Sequence, residues 1–362
     1  MSMNNRRQFL QAIAALSSLS LASCGWTLGN VKSSTTSTRS DQLYLFTWTQ
    51  YSDQKLLETF TTQTGIKVLV DIYDSNEVML AKLLAGGGGA YSIIYPSDYM
   101  VQKMAEQDLL TEIDHERLNG LNNLLPQFQN PSYDPNNRHS IPFNWGTTGF
   151  IYNSAKLKNP PQDWDYLWQN QELLNRRITL LNDVREVMGG VLRMLGYSYN
   201  SQDENQIQQA YEKLVELKPA IASFNTDAWQ NQLLAGDLTL AMCYSADAIR
   251  ITQENPQFKY VIPRSGSSLW TDTIVIPKSA PNLDGAYAWI NYMLQPDIAA
   301  SISQRLSLAT PNMAGFEQLP QNIQNNANWF PPQELLEKCE RIAPLGDFED
   351  VYERYWTKLS IS

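Results

Sequence analysis

Between residues 42 and 97 the chain alternates between two incompatible side-chain periods, and this restricts its fold more than any other feature. "LYLFTW" (43–48), "IKVLVDIY" (66–73) and "YSIIYPS" (91–97) are short runs rich in β-branched and aromatic residues, suited to strands. "SDQKLLETFTTQTG" (52–65) and "DSNEVMLAKLLAGGGG" (74–89) lie between them. In the first, Leu56, Leu57 and Phe60 recur at helical spacing before Gly65; in the second, Asp74 and Glu77 have the spacing of a capping box. Glycines close both helices. Gly86–Gly89 ends a helix instead of opening one, and no Lys-Ser/Thr follows, so it is not a phosphate loop. A β-α-β-α-β order predicts an α/β fold with mainly parallel sheets flanked by helices.

A second α/β unit begins near Gly149. "RITLLND" (177–183) reads as a strand entering the helix "VREVMGGVLRMLGYS" (184–198), which ends at Gly196. "QIQQAYEKLVELKP" (206–219) is a further amphipathic helix, "DLTLAMCYS" (237–245) a further strand, and residues 285–306 a long helical stretch broken at Pro296. With 362 residues, 43% of them hydrophobic, the chain can bury two domain cores. Its net charge of −10 argues against nucleic acid and favours cationic partners. Ten Trp and eighteen Tyr are enough to build aromatic walls that stack on cations.

The N-terminus reads as an address. Arg6 and Arg7 precede an apolar run from Ala12 to Ala22, which closes on "LASC" at Cys24. This resembles a bacterial lipoprotein signal with a twin-arginine start, and the run is too short to span a bilayer. Export, lipidation at Cys24 and membrane anchoring in the periplasm are expected, whether by a Tat-type or a Sec route. Residues 25–41 are Ser/Thr-rich without apolar period and read as a flexible tether. Cys243 and Cys339 could pair or stay free. Neither His115 nor His139 has a spacing suited to zinc, so no metal is expected, and no cofactor is implied.

Five clusters lie at or just beyond strand ends, where open α/β sheets bind ligands. They are Trp48-Thr49-Gln50-Tyr51, Ser97-Asp98-Tyr99, Asp183 with Glu186, Tyr244 with Asp247, and Trp270 with Asp272. Asp183 and Glu186 also have capping-box spacing, Asp247 suits a helix cap, and Trp48 and Trp270 suit a core. In "SLWTDTIVIP" (268–277), Trp270 and Asp272 share one strand face. A carboxylate beside an indole needs a positive partner, from the protein or from a ligand.

These clusters, with "YDPNNRHSIPFNWGTTG" (133–149), "SFNTDAW" (223–229) and "ATPN" (309–312), resemble in order the spermidine/putrescine-binding proteins of bacterial polyamine ABC importers, an extracellular solute-binding family. The resemblance spans almost the whole chain after Cys24. It implies a two-lobed type II periplasmic binding protein, not an enzyme, with lobe 1 at 41–146 and 271–313 and lobe 2 at 147–270 and 314–362. It implies a monomer that holds a polyamine between the lobes and delivers it to permease and ATPase subunits.

Carried over by position, its pocket falls on Trp48, Thr49, Tyr51, Ser97, Tyr99, Asp183, Glu186, Trp270 and Asp272. Gln50 stands where spermidine-binding members carry an acid, Tyr244 where they carry Trp, Leu308 where they carry Tyr, and Ile342 near a polar pocket residue. Asp247 resembles the acid of putrescine-binding members. Another organic solute, or an exported hydrolase using Asp183 and Glu186, stays open as an alternative.

Overall fold

The computed structural model describes residues 41–361; the leader, Cys24 and the tether up to residue 40 lie outside the described residues. Counting helices of seven residues or more, the chain opens β1 (Gln42–Thr47), α1 (Gln54–Thr64), β2 (Lys67–Ile72), α2 (Asn76–Leu84), β3 (Ile93–Ile94) and α3 (Asp98–Glu106). The expected alternation is present, and its caps explain the boundaries. Asp53 accepts from the Leu56 N–H at 2.8 Å to start α1, and Gly65, at φ 76°, closes it. α2 is capped by Ser75, which accepts from the Val78 N–H at 3.2 Å, one residue later than the Asp74–Glu77 spacing predicts.

Two strands dominate the middle of the molecule. β4 (Ser140–Asn153) is 14 residues long and buried along its whole length. Its first half pairs with β9 (Leu269–Val275); its second half pairs with β7 (Leu240–Tyr244) and β8 (Phe258–Val261). Sequence periodicity misses β4 because a strand covered on both faces loses its alternation, and Pro142, Gly146 and Gly149 interrupt it. β5 (Ile178–Leu180) and β6 (Ile221–Phe224) complete the order β2-β1-β3-β9-β4-β7-β5-β6, with β8 beside β4. The two flanks, β2-β1-β3 and β7-β5-β6, are parallel. Every antiparallel pairing among these strands involves β4 or β9.

Separate cores form on the flanks. One gathers Leu56 and Phe60 of α1 with Trp289 and Tyr292 of a later helix (Leu283–Met293), Phe60 and Trp289 meeting edge-on at 4.8 Å. Another packs Ile178 and Leu180 under Val187, Met188 and Val191 of α4 (Val184–Met194) and under the C-terminal helix Glu349–Ile361. Phe330 packs at 6.2 Å from Trp145 in the first core, so part of the segment after residue 313 adheres to the first flank. Pro296 starts a new helix, Pro296–Leu306, as its missing N–H requires. Cys243 is buried, Cys339 is partly so, and both are free thiols.

Candidate functional site

The site is organised by one face of β9. Ser268, Trp270 and Asp272 alternate in sequence and therefore share a side of the strand. Gly146 of β4 lies opposite Trp270, and Asn144 opposite Asp272. Four steps along the chain lead from Ser268, just before β9, to Asp272, roughly 13 Å at about 3.3 Å per residue.

At one end stands Asp272, 5% exposed. Ser97 donates its hydroxyl to Oδ1 at 2.6 Å, and Tyr51 donates its own to Oδ2. Ser97 occupies the cap position of α3 but makes no side-chain cap bond there, because its hydroxyl goes to Asp272. Burial pushes the Asp272 carboxyl up to about 7 despite these two donors. Asn76 of α2 binds both neighbours: its Nδ2 donates to Ser97 Oγ and to the Tyr99 hydroxyl, each at 3.1 Å. Tyr99 in turn donates to Glu77 at 3.0 Å. The Trp48 indole N–H is tied to the Tyr95 carbonyl at 2.8 Å, and its ring leans on Tyr73 at 4.6 Å.

At the other end stand Asp183 and Glu186. Asp183 caps α4, accepting from the N–H groups of Arg185 (2.9 Å) and Glu186 (3.1 Å). Glu186 does not return the capping-box bond. It is 2% exposed and accepts from Ser268 Oγ at 2.7 Å and from the Tyr199 hydroxyl at 2.9 Å. Burial first, then the neighbouring Asp183 charge, pushes its carboxyl up to about 8. Tyr244 reaches toward Asp183 at 3.4 Å and meets the Trp270 ring edge-on at 5.9 Å. Trp270 thus lies between two carboxyl groups held by hydroxyls, along one strand face. Among the described residues no ion pair includes Asp272, Asp183 or Glu186.

Three expected residues stand differently. Thr49 and Gln50 are exposed in the turn after β1. Asp247 is occupied by Arg250 of its own helix at 2.8 Å and by Gln230 of the preceding helix, Trp229–Ala235, at 3.2 Å. Leu308 and Ile342 are both buried, Leu308 in the first core. An open groove of about 740 Å³ beside β2 includes Thr49 but none of the site's rings, so it is a separate feature. Sequence reasoning missed Asn76, Ser268 and Tyr199. Ser268 was detectable, because it extends the Trp270–Asp272 face by one step of two.

The profile of the bacterial extracellular solute-binding protein family matches residues 55–331. The chain belongs to this family. It is 37% identical over 320 residues to the spermidine/putrescine-binding periplasmic protein of Salmonella typhimurium, covering 88% of this chain and 91% of that one. Among solved structures, a spermidine/putrescine ABC transporter substrate-binding protein from Streptococcus pneumoniae superposes with a TM-score of 0.81 at 35% identity, over 89% of this chain and 99% of that chain. A putative spermidine/putrescine ABC transporter protein from Listeria monocytogenes gives 0.83 at 36% identity, with the same coverages. The fold is that of the type II periplasmic binding proteins, with helices flanking the sheet. Family members of this kind capture solutes and are not enzymes.

Proposed function

We propose that this chain captures a polyamine of the spermidine/putrescine class and presents it to the permease and ATPase subunits of an importer. The observation that carries the reading is the strand face with buried carboxyls at both ends and an indole between them. Carboxyls held only by hydroxyls and backbone N–H groups await a cation. An indole face covers methylenes and attracts ammonium, worth about 0.5–2 kcal/mol when desolvated. The names of the Salmonella and Streptococcus relatives support the same ligand class.

The ligand residues in this reading are Trp48, Tyr51, Ser97, Tyr99, Asp183, Glu186, Tyr244, Trp270 and Asp272. Thr49, Gln50 and Asp247 join only if the turn after β1 folds inward or Arg250 releases its partner. Two lobes meet along β4 and β9, near residues 146 and 270, and close on the amine by a population shift toward the state in which both acids contact it. The leader supports a periplasmic protein anchored through Cys24. Intact-mass spectrometry of a native preparation tests that: diacylglycerol on Cys24 is expected, and an unmodified cysteine overturns it.

Calorimetric titration tests the ligand. Putrescine or spermidine should bind and release heat, whereas a hexose, a neutral amino acid and ferric citrate should not. Binding of one of those three with no response to either amine would contradict the reading.

A further inference from the structure

Asn144 is a buried amide with nothing to bond. It is 1% exposed, and neither its Oδ1 nor its Nδ2 completes a hydrogen bond. Buried polar groups are almost always partnered, and each exception calls for a reason. Its place in the sheet supplies one. Asn144 sits at the irregularity in β4 between Pro142 and Asn144, where the register shifts and the strand re-aims a side chain. Directly opposite is Asp272, and in an antiparallel pair opposite residues project from the same face. Burial, with the Asp272 charge adding to it, raises the Tyr51 hydroxyl's pKa well above its ordinary value, and the nearby Asn144 amide acts against that rise. The Trp270 indole N–H, on the same face, is likewise without a partner.

Resting on the polyamine reading, we propose that Asn144 is a further ligand-binding residue, whose amide oxygen accepts a hydrogen bond from the ammonium group that Asp272 neutralises. A primary ammonium brings three N–H donors to a wall where Asp272 supplies the charge. A second carboxylate beside Asp272 would repel it and favour protonation of both. A neutral amide adds an acceptor without that repulsion. The ligand class is therefore an amine with N–H groups to donate, and a quaternary ammonium is disfavoured.

The test uses Asn144→Val and Asn144→Ala in the full chain, titrated with putrescine and spermidine, beside thermal unfolding of each ligand-free protein. A lost hydrogen bond to a charged group weakens binding about ten- to a hundredfold. Removing an unpartnered buried amide leaves the ligand-free protein as stable as before or more so. The expected result is weaker amine binding in both variants with no fall in ligand-free melting temperature. A residue with a purely structural role would give the reverse. Affinity within about twofold of the parent, or a lower ligand-free melting temperature in both variants, overturns the proposal. If the parent protein binds neither amine, the failure lies in the polyamine reading itself, and Asn144 falls with it.

Discussion

Gly146 leaves the space in which the indole of Trp270 lies. A Cβ on Gly146 would come within 2.6 Å of the ring's Cη2 and closer still to Cζ2 and to Ser245 Oγ. Real Cβ atoms do not approach an aromatic ring so closely, so the ring or the strand would have to move. Because Gly146 faces Trp270 across the β4–β9 pair, the bare backbone of one strand is a precondition for the aromatic wall on the other. Gly146→Ala should weaken amine binding by tenfold or more, a loss of about 1.4 kcal/mol, and should shift Trp270 fluorescence. Unchanged affinity would mean that the ring does not form the wall.

The two raised carboxyls set the response to pH. Asp272 at about 7 and Glu186 at about 8 both stand above the values of about 4 that such groups have in an unfolded chain. Between about pH 4 and pH 8 the folded, ligand-free protein therefore holds protons that the unfolded chain has released, and its stability falls as pH rises through that window. Binding has the opposite sign, since an ammonium needs the ionised acid. Amine affinity should tighten by about tenfold between pH 6 and pH 8 for a single group of this kind, while the ligand-free melting temperature falls. Calorimetry and thermal unfolding across this range check both; an affinity flat with pH contradicts the assignment.

Arg341 ties the C-terminal segment to the site. Its Nη1 donates to Asp98 Oδ2 at 2.8 Å and to Thr271 Oγ1 at 2.5 Å, while its carbonyl accepts from Asn200 at 2.8 Å. Asp98 is only 2% exposed, so losing the guanidinium strands a buried charge. Arg341→Met should destabilise the protein by about 3–5 kcal/mol. Adding Asp98→Asn should recover much of that, by neutralising the orphan. Urea unfolding of the single and double variants decides, and additive losses would show that the two groups are not coupled.

Short-range relations in the sequence reached the site, and long-range ones did not. Trp270 and Asp272 were legible as neighbours because strand period is local, as was Asp183 as a cap because it bonds two and three residues ahead. The destination of Glu186 was not, since Ser268 lies 82 residues away and is brought near only by the sheet. Asp247 shows the opposite case: Arg250, three residues on and within reach on the same helix face, is a partner that helix spacing alone indicates. β4 stayed hidden because burial on both faces erases the alternation that marks a strand, and with it went Asn144 and Gly146.

The central claim is that a buried carboxylate on β9 holds the ligand's ammonium, and Asp272→Asn tests it most directly. The substitution keeps the shape and one accepting oxygen for Ser97 or Tyr51, turns the other end into an N–H donor, and removes the charge. A desolvated ammonium left without its partner loses roughly 2–5 kcal/mol, about thirtyfold to several thousandfold in dissociation constant. Calorimetric titration of Asp272→Asn with putrescine and spermidine should therefore show binding nearly abolished, in a protein that still unfolds cooperatively. Binding of either amine at the parent's affinity would contradict the account.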